Sequence, residues 1–132
     1  MEGLKWALFH GIACNWREYR FYSRTKHPFL QPTYFSFFGT VNIQKYGRPV
    51  RIPFEDEYNR DKWWTRMFWM PVLGITNGEV IRDGHHFLNP ENFCQDIFGR
   101  PKIVDYGLPR TQEIIKKWGE QIHISIFLYE EP

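Results

Sequence analysis

Apolar side chains recur every three or four residues near the start of the chain, at Leu4, Leu8, Ile12, Trp16 and Tyr19. Side chains with this spacing share one face of an α-helix. The pattern therefore predicts an amphipathic helix over residues 4–24. The helix should end at His27-Pro28, because the residue before a proline avoids the helical conformation.

Cationic and aromatic side chains alternate along the second half of this helix, in the stretch NWREYRFYSRTKHPF. At about 100° per residue, Arg17, Arg20 and Arg24 fall together on a face other than the apolar one. Phe21 and Lys26 belong to the same stretch. Arginine and aromatic residues are enriched at protein interfaces. The same mixture suits single-stranded nucleic acid, because guanidinium groups contact phosphate and rings stack on bases. We predict that these five residues bind a partner.

The charge of the chain is divided unevenly along its length. Residues 1–51 hold eight lysines and arginines against two acids, and residues 52–132 hold nine against thirteen. A basic half favours an anionic partner and an acidic half a cationic one, although the two halves could also face each other within the fold. Glu55, Asp56 and Glu57 are predicted to form either a solvated loop or a docking site for arginines, and we include them among the residues that bind a partner. Head-to-tail self-association is one form that such docking can take.

Two hairpins are predicted in the middle of the chain. Residues 32–40 are expected to form a helix or a tight turn, followed by a hairpin around Gly47-Arg48. Asn77-Gly78 between apolar positions is a strong signal for a two-residue hairpin turn, and it predicts the second hairpin.

The last third of the chain is predicted to contain two short helices and a strand. Asn89 has the character of an N-cap and Pro90 that of a first helical residue, so a helix is expected to follow and to end at Gly99. A further helix is predicted over LPRTQEIIKKWGE, ending at Gly119. In residues 121–129, QIHISIFLY, isoleucine alternates with polar residues, which predicts a strand.

A chain of 132 residues is long enough for one domain with one core. No repeat, low-complexity segment or linker divides it. We therefore predict a single α+β domain over residues 1–132, with an amphipathic N-terminal helix, two further short helices and a small, mostly antiparallel sheet with hairpins. The residues predicted to be buried are Leu8, Ile12, Trp16, Phe93, Ile97, Trp118, Ile124 and Ile126.

Aromatic residues are unusually common. Six Trp, seven Tyr and twelve Phe make up 19% of the chain, which is more than a small domain is expected to bury completely. Aromatic side chains left at the surface would mark a partner site, since exposed apolar patches usually mediate interaction.

The best candidate for a chemical site is the stretch RDGHHFLNPENFC, with Asp83, His85, His86 and Cys94. Neighbouring histidines on an extended segment point to opposite faces, and no further metal ligand can be specified. We interpret the stretch as a structural turn and predict no metal site and no cofactor. Phosphate-loop, dinucleotide-binding, zinc-protease and nucleophile-elbow motifs do not occur. A small hydrolase with a Cys/His site remains an alternative.

The compartment is predicted from the cysteines and from hydropathy. Cys14 and Cys94 lack a CxxC spacing, so a reducing environment, the cytoplasm or another intracellular compartment, is expected. Glu2 stands where an export signal is basic. The longest apolar run, MFWMPVLGI, is too short to span a bilayer, and no membrane partner is predicted.

These observations predict a non-enzymatic interaction or assembly subunit. It would dock a protein partner, or another copy of itself, through its N-terminal surface rich in arginine and aromatic residues. Binding of single-stranded nucleic acid is the first alternative, since the same side chains can contact phosphates and stack on bases.

Overall fold

The computed structural model of the protein describes residues 2–128, with the side chains of residues 12–128. The first element, α1 (Glu2–Thr25), is the N-terminal helix that the apolar spacing predicts. Lys26, with φ of 44°, takes the chain out of the helix in a left-handed conformation. His27 Nδ1 then accepts a hydrogen bond of 3.1 Å from the backbone N–H of Phe29, so that the turn at His27-Pro28 is held by a side chain.

A two-stranded hairpin follows, formed by β1 (Thr33–Ser36) and β2 (Asn42–Gln44). Its turn is closed by a hydrogen bond of 2.9 Å from Phe37 N to Val41 O. The prediction of a helix or turn over residues 32–40 is therefore wrong except for this turn, because the chain is extended on both sides of it.

The hairpin predicted around Gly47-Arg48 is absent, because the strand at that point pairs elsewhere. In a second sheet, β3 (Arg48–Pro49) pairs with β4 (Phe93–Gln95), and β4 pairs with β5 (Pro101–Ile103), all antiparallel. Gly47 lies so close to β4 that a Cβ atom there would stand 2.6 Å from Cys94 Sγ.

The helix predicted to end at Gly99 is also wrong. The Asn89 side chain does accept a hydrogen bond of 3.1 Å from Glu91 N, but only one 3₁₀ turn, Pro90–Asn92, follows before β4. Pairing with β5 buries Phe93 in the core, and this burial outweighs the local helix signal. Gly99, with φ of 79°, belongs to the turn between the two strands.

A long helical segment over residues 57–75 was not predicted. It consists of α2 (Glu57–Trp64), a π-helical turn (Thr65–Trp69) and α3 (Met70–Ile75). A 3₁₀ helix (Glu79–Asp83) and the short α4 (Gly84–Phe87) come next.

The predicted hairpin at Asn77-Gly78 is wrong because the residues on both sides are helical. Both residues have the positive φ that their types favour, 53° and 83°. In this conformation, Asn77 and Gly78 connect α3 to the 3₁₀ helix.

The last helix, α5 (Pro109–Ser125), begins where the sequence predicts but continues through Gly119. The strand predicted over residues 121–129 is therefore wrong: residues 121–125 are helical, residues 126–128 form no strand, and residue 129 lies outside the described residues. Gly119 lies close to His27, so that a Cβ atom there would stand 2.9 Å from the His27 ring and would require the ring to shift. Helical geometry places Ile122 inside and leaves Ile124 53% exposed.

One hydrophobic core joins these elements, and its centre is a group of stacked and tilted rings. Trp64 and Phe68 have ring centroids 4.4 Å apart, and Phe68 and Phe93 have centroids 4.7 Å apart. Trp64 Nε1 also donates a hydrogen bond of 2.9 Å to Phe87 O. The predicted α+β fold is confirmed, with two small antiparallel sheets in place of one.

The predicted core residues divide between interior and surface. Phe93 and Ile126 are buried, and Ile12 and Trp118 are partly buried. The prediction is wrong for Ile97, Ile124 and Trp16, which are 72%, 53% and 37% exposed. Leu8 lies outside the residues whose side chains are described. Within residues 2–128, none of the helices combines the length and the hydrophobicity that crossing a bilayer requires.

Candidate functional site

The β1–β2 hairpin turns polar side chains toward the body of the protein. Thr33 is buried and its Oγ1 lies 2.7 Å from the hydroxyl of Tyr106. On β2, Gln44 Nε2 donates a hydrogen bond of 2.8 Å to Val104 O. The inner face of the hairpin is therefore attached to the loop after β5 by hydrogen bonds.

The turn of the hairpin is attached to α1 in a similar way. Asn15 Nδ2 donates to Gly39 O (3.0 Å), and Asn42 Nδ2 donates to Asn15 O (2.8 Å). Gly39 approaches the helix so closely that a Cβ atom would stand 2.4 Å from Ile12 O. Both ends of the hairpin are thus fixed to the rest of the molecule.

The outer face of the hairpin is apolar and exposed. Phe35 on β1 stands opposite Ile43 on β2, and the rings of Phe37 and Phe38 meet edge to face, with centroids 5.4 Å apart. Six side chains with exposed fractions between 50% and 75% form what we call the hairpin patch: Tyr34, Phe35, Phe37, Phe38, Val41 and Ile43.

This hairpin is inverted relative to an ordinary antiparallel pair, which packs its apolar side on the core and leaves its polar side to water. Residues 33–44 also contain no charged residue and no proline, which are two of the means by which proteins protect exposed strands from other chains. A contiguous apolar surface of this kind on a folded chain indicates an interaction site.

An exposed edge of α1 borders the turn of the hairpin. Trp16, next to Asn15 in the helix, packs against Tyr19 with ring centroids 5.7 Å apart. Arg20 and Arg24, one and two turns further along, are exposed, and we call this pair the arginine edge.

Two residues predicted to bind a partner, Arg17 and Phe21, make contacts within the fold instead. Arg17 is not part of the exposed edge, because its Nε donates a hydrogen bond of 3.0 Å to Gly107 O and a terminal nitrogen lies 3.3 Å from Cys14 Sγ. Phe21 is buried against Tyr106, with ring centroids 6.2 Å apart. Lys26, in contrast, is exposed.

The segments that flank the hairpin patch in the sequence are basic. Residues 19–54 contain no acid, and their six cations are all exposed: Arg20, Arg24, Lys26, Lys45, Arg48 and Arg51. A partner that covers the hairpin patch together with these flanking segments meets their positive charge.

Glu55, Asp56 and Glu57 are exposed at the start of α2. Asp56 is the N-cap, and Asn59 N donates a hydrogen bond of 3.0 Å to its Oδ2. Hydrogen bonds from Asn59 lower the pKa of the Asp56 carboxyl. Among the described side chains, none of these three acids forms an ion pair with the cations of residues 19–54, so the internal pairing of the two charge groups is not found.

A buried acid that the sequence analysis missed lies beneath the hairpin. Glu18 is 8% exposed, and its Oε2 accepts a hydrogen bond of 3.2 Å from Tyr106 N. Burial raises the pKa of Glu18 to about 7, and the nearby charge of Asp105 acts in the same direction. The available signal was its place one residue before Tyr19, which the apolar spacing assigns to the inner face of the helix.

The residues of the RDGHHFLNPENFC stretch do not gather into one site. Asp83 accepts a hydrogen bond of 2.6 Å from Thr111 Oγ1, and His86 Nε2 is hydrogen-bonded to Asp105 O. His85 is exposed. In the part of the chain with described side chains, no three His, Cys, Asp or Glu residues are placed to hold a metal ion.

Cys94 is separated from these groups by its own contacts. It is buried and its Sγ lies 3.5 Å from Gln31 Oε1. Burial raises the pKa of the Cys94 thiol to about 11, so the thiol is protonated at neutral pH and lacks the thiolate that a nucleophile needs.

Comparison of the chain with protein-family models, with curated proteins and with solved structures finds no match. The function is therefore inferred from the chain's own residues.

Proposed function

We propose that the protein is a non-enzymatic interaction subunit that docks a protein partner through the hairpin patch and the arginine edge. The observation that carries the proposal is the inverted hairpin, with its polar side chains bonded inward and its aromatic side chains in water. Aromatic and arginine residues dominate the binding energy of protein interfaces.

The rigidity of the hairpin supports this function. Hydrogen bonds from Asn15, Asn42 and Gln44 hold the strands and the turn in place before any partner arrives. Binding to a surface that is already ordered costs less conformational entropy than binding to a mobile loop.

The charge around the hairpin patch defines the chemistry of the partner. Six exposed cations and no acid in residues 19–54 favour a protein surface with an apolar centre and an acidic rim, because complementary charge steers association and excludes wrong partners. Single-stranded nucleic acid fits less well. Its binding sites interleave cations with stacking rings, whereas residues 33–44 carry no charge.

To test the proposal, a photoreactive amino acid replaces Phe37 in the protein in its native host, and the protein that is cross-linked to it is identified. The binding of this partner to the parent protein and its variants is then measured with purified proteins. We expect the double variant Phe35→Thr/Ile43→Thr to bind this partner roughly tenfold or more weakly. The matched control Ile97→Thr/Phe98→Thr, which removes two exposed apolar side chains from the turn between β4 and β5, should bind like the parent.

Failure to cross-link any protein, or equal binding by the hairpin variant and the parent, contradicts the proposal. Tight binding of single-stranded oligonucleotides by the parent, with an affinity that falls with salt by a slope of about −0.7 per phosphate contact, would assign the surface to nucleic acid instead.

A further inference from the structure

The start of α2 carries a surface with the chemistry that the hairpin patch requires. Phe54 and Tyr58 are 39% and 74% exposed, and the three acids between them are exposed as well. We call residues 54–58 the acidic segment. It presents aromatic rings together with carboxylates, and so resembles the apolar, acidic partner surface inferred above.

Within residues 12–128, neither the acidic segment nor the arginine edge has a charged partner. Among residues 12–128, Arg20 and Arg24 form no ion pair with Glu55 or Glu57. Two complementary surfaces that do not meet within a chain can meet between chains.

We propose that the partner of the hairpin patch is a second copy of this chain, whose acidic segment lies against the hairpin patch and the arginine edge. This inference rests on the proposed function, because it names the partner for the same surface. The contact joins different surfaces of the two copies, so a bound pair still presents one free hairpin patch on one copy and one free acidic segment on the other. Such head-to-tail contacts build rings if the rotation closes and filaments if it does not.

Charge reversal on each side of the contact tests the inference. One variant is Arg20→Glu/Arg24→Glu, and the other is Glu55→Lys/Glu57→Lys. Asp56 stays unchanged in the second variant because it caps α2. A control, Arg82→Glu/Lys116→Glu, changes the net charge equally at two exposed cations outside residues 19–54.

Sedimentation velocity of the purified full chain gives the readout. We expect the parent and the control to associate with rising concentration and to dissociate with added salt. Each charge-reversed variant alone should associate roughly tenfold or more weakly. An equimolar mixture of the two should regain association, because each variant's reversed surface then meets a complementary one. The uncharged variant Phe35→Thr/Ile43→Thr should also lose association, since it removes the apolar part of the contact.

Three results would overturn the inference: a parent that stays monomeric at every concentration reached, variants that associate like the parent, or a mixture that associates no better than its components. If the parent is monomeric but the partner purified after cross-linking at Phe37 still binds through Phe35 and Ile43, the second copy is excluded and the docking function stands. If no purified partner binds through these residues either, both proposals fail.

Discussion

Replacing Glu18 by Gln should stabilise the protein at alkaline pH and change the pH dependence of its folding. Glu18 is 8% exposed beneath the hairpin, and burial raises the pKa of its carboxyl from 4.5 to about 7. The folded state therefore keeps this carboxyl protonated over a pH range in which the unfolded chain ionises it. Gln has the shape of the protonated acid and can accept the same hydrogen bond from Tyr106 N.

The sign and size follow from the two pKa values. Between pH 4.5 and about pH 7, the folded state binds more protons than the unfolded state, so the free energy of unfolding falls as the pH rises through this range. The contribution of Glu18 to stability is fully present below the pKa of the unfolded state, 4.5, and is lost above the pKa of the folded state, about 7. At about 1.4 kcal/mol per pKa unit, the parent loses about 3 kcal/mol of stability that the Glu18→Gln variant retains.

Urea unfolding followed by tryptophan fluorescence, at several pH values from 5 to 8, measures this effect. The difference in unfolding free energy between variant and parent isolates Glu18, because other titrating groups contribute equally to both proteins. We expect a small difference at pH 5 and one of about 3 kcal/mol at pH 8. A difference that does not change with pH, or a variant less stable than the parent at pH 8, would refute the reasoning.

Two further predictions concern Gly107, which packs against α1, and His27, which follows α1. Gly107→Ala should destabilise the protein by about 1–3 kcal/mol in urea unfolding, because the added Cβ would stand 2.4 Å from Cys14 O. The control Gly74→Ala, in a helix with open space around it, should stabilise by up to about 1 kcal/mol, and equal effects of the two substitutions would contradict the prediction. Burial lowers the pKa of His27, and protonation would remove the acceptor of the Phe29 N–H bond. The unfolded chain therefore binds more protons, and stability should fall as the pH drops below about 6.5, a loss that a His27→Gln variant should not show.

The N-terminal helix could be predicted because its signals are local. Apolar spacing of three and four residues and the stop at His27-Pro28 act within the segment itself, and α1 extends over Glu2–Thr25. The α+β class followed from the mixture of helical and extended patterns along the chain.

Elsewhere the sequence correctly predicted the local conformation of single residues, but it assigned these residues to the wrong helices and strands. Asn89 does cap a helical turn, yet pairing of the next residues with β5 ends the helix at once. Asn77 and Gly78 do adopt positive φ, yet they join two helices. The isoleucines at 122 and 124 fit a strand of period two, but packing of α5 on the core selects the helical period. In each case long-range contacts decided between two structures that the sequence allows.

The candidate site was only partly predictable for the same reason. Rotation around a helix places Arg17 close to Arg20, but only the loop at Gly107 shows that Arg17 is engaged within the fold. On β2, the alternation of Val41 and Ile43 with polar residues predicts a strand without saying which side faces inward. The inward side is polar because Tyr106, Val104 and Asn15 offer hydrogen-bond partners there, and these lie far away in sequence.

The inverted hairpin also has a consequence for local unfolding. Its apolar side is already in water, so separating the hairpin from α1 and the loop at Val104 exposes less apolar surface than separating an ordinary hairpin, whose apolar side is buried. Denaturant sensitivity scales with the surface that an opening exposes. We therefore expect the hairpin to open separately from the ring cluster around Phe68, at a free energy that depends less on urea than the unfolding of the whole domain does. Covering its outer face with a partner would join this opening to the cooperative unfolding of the whole domain.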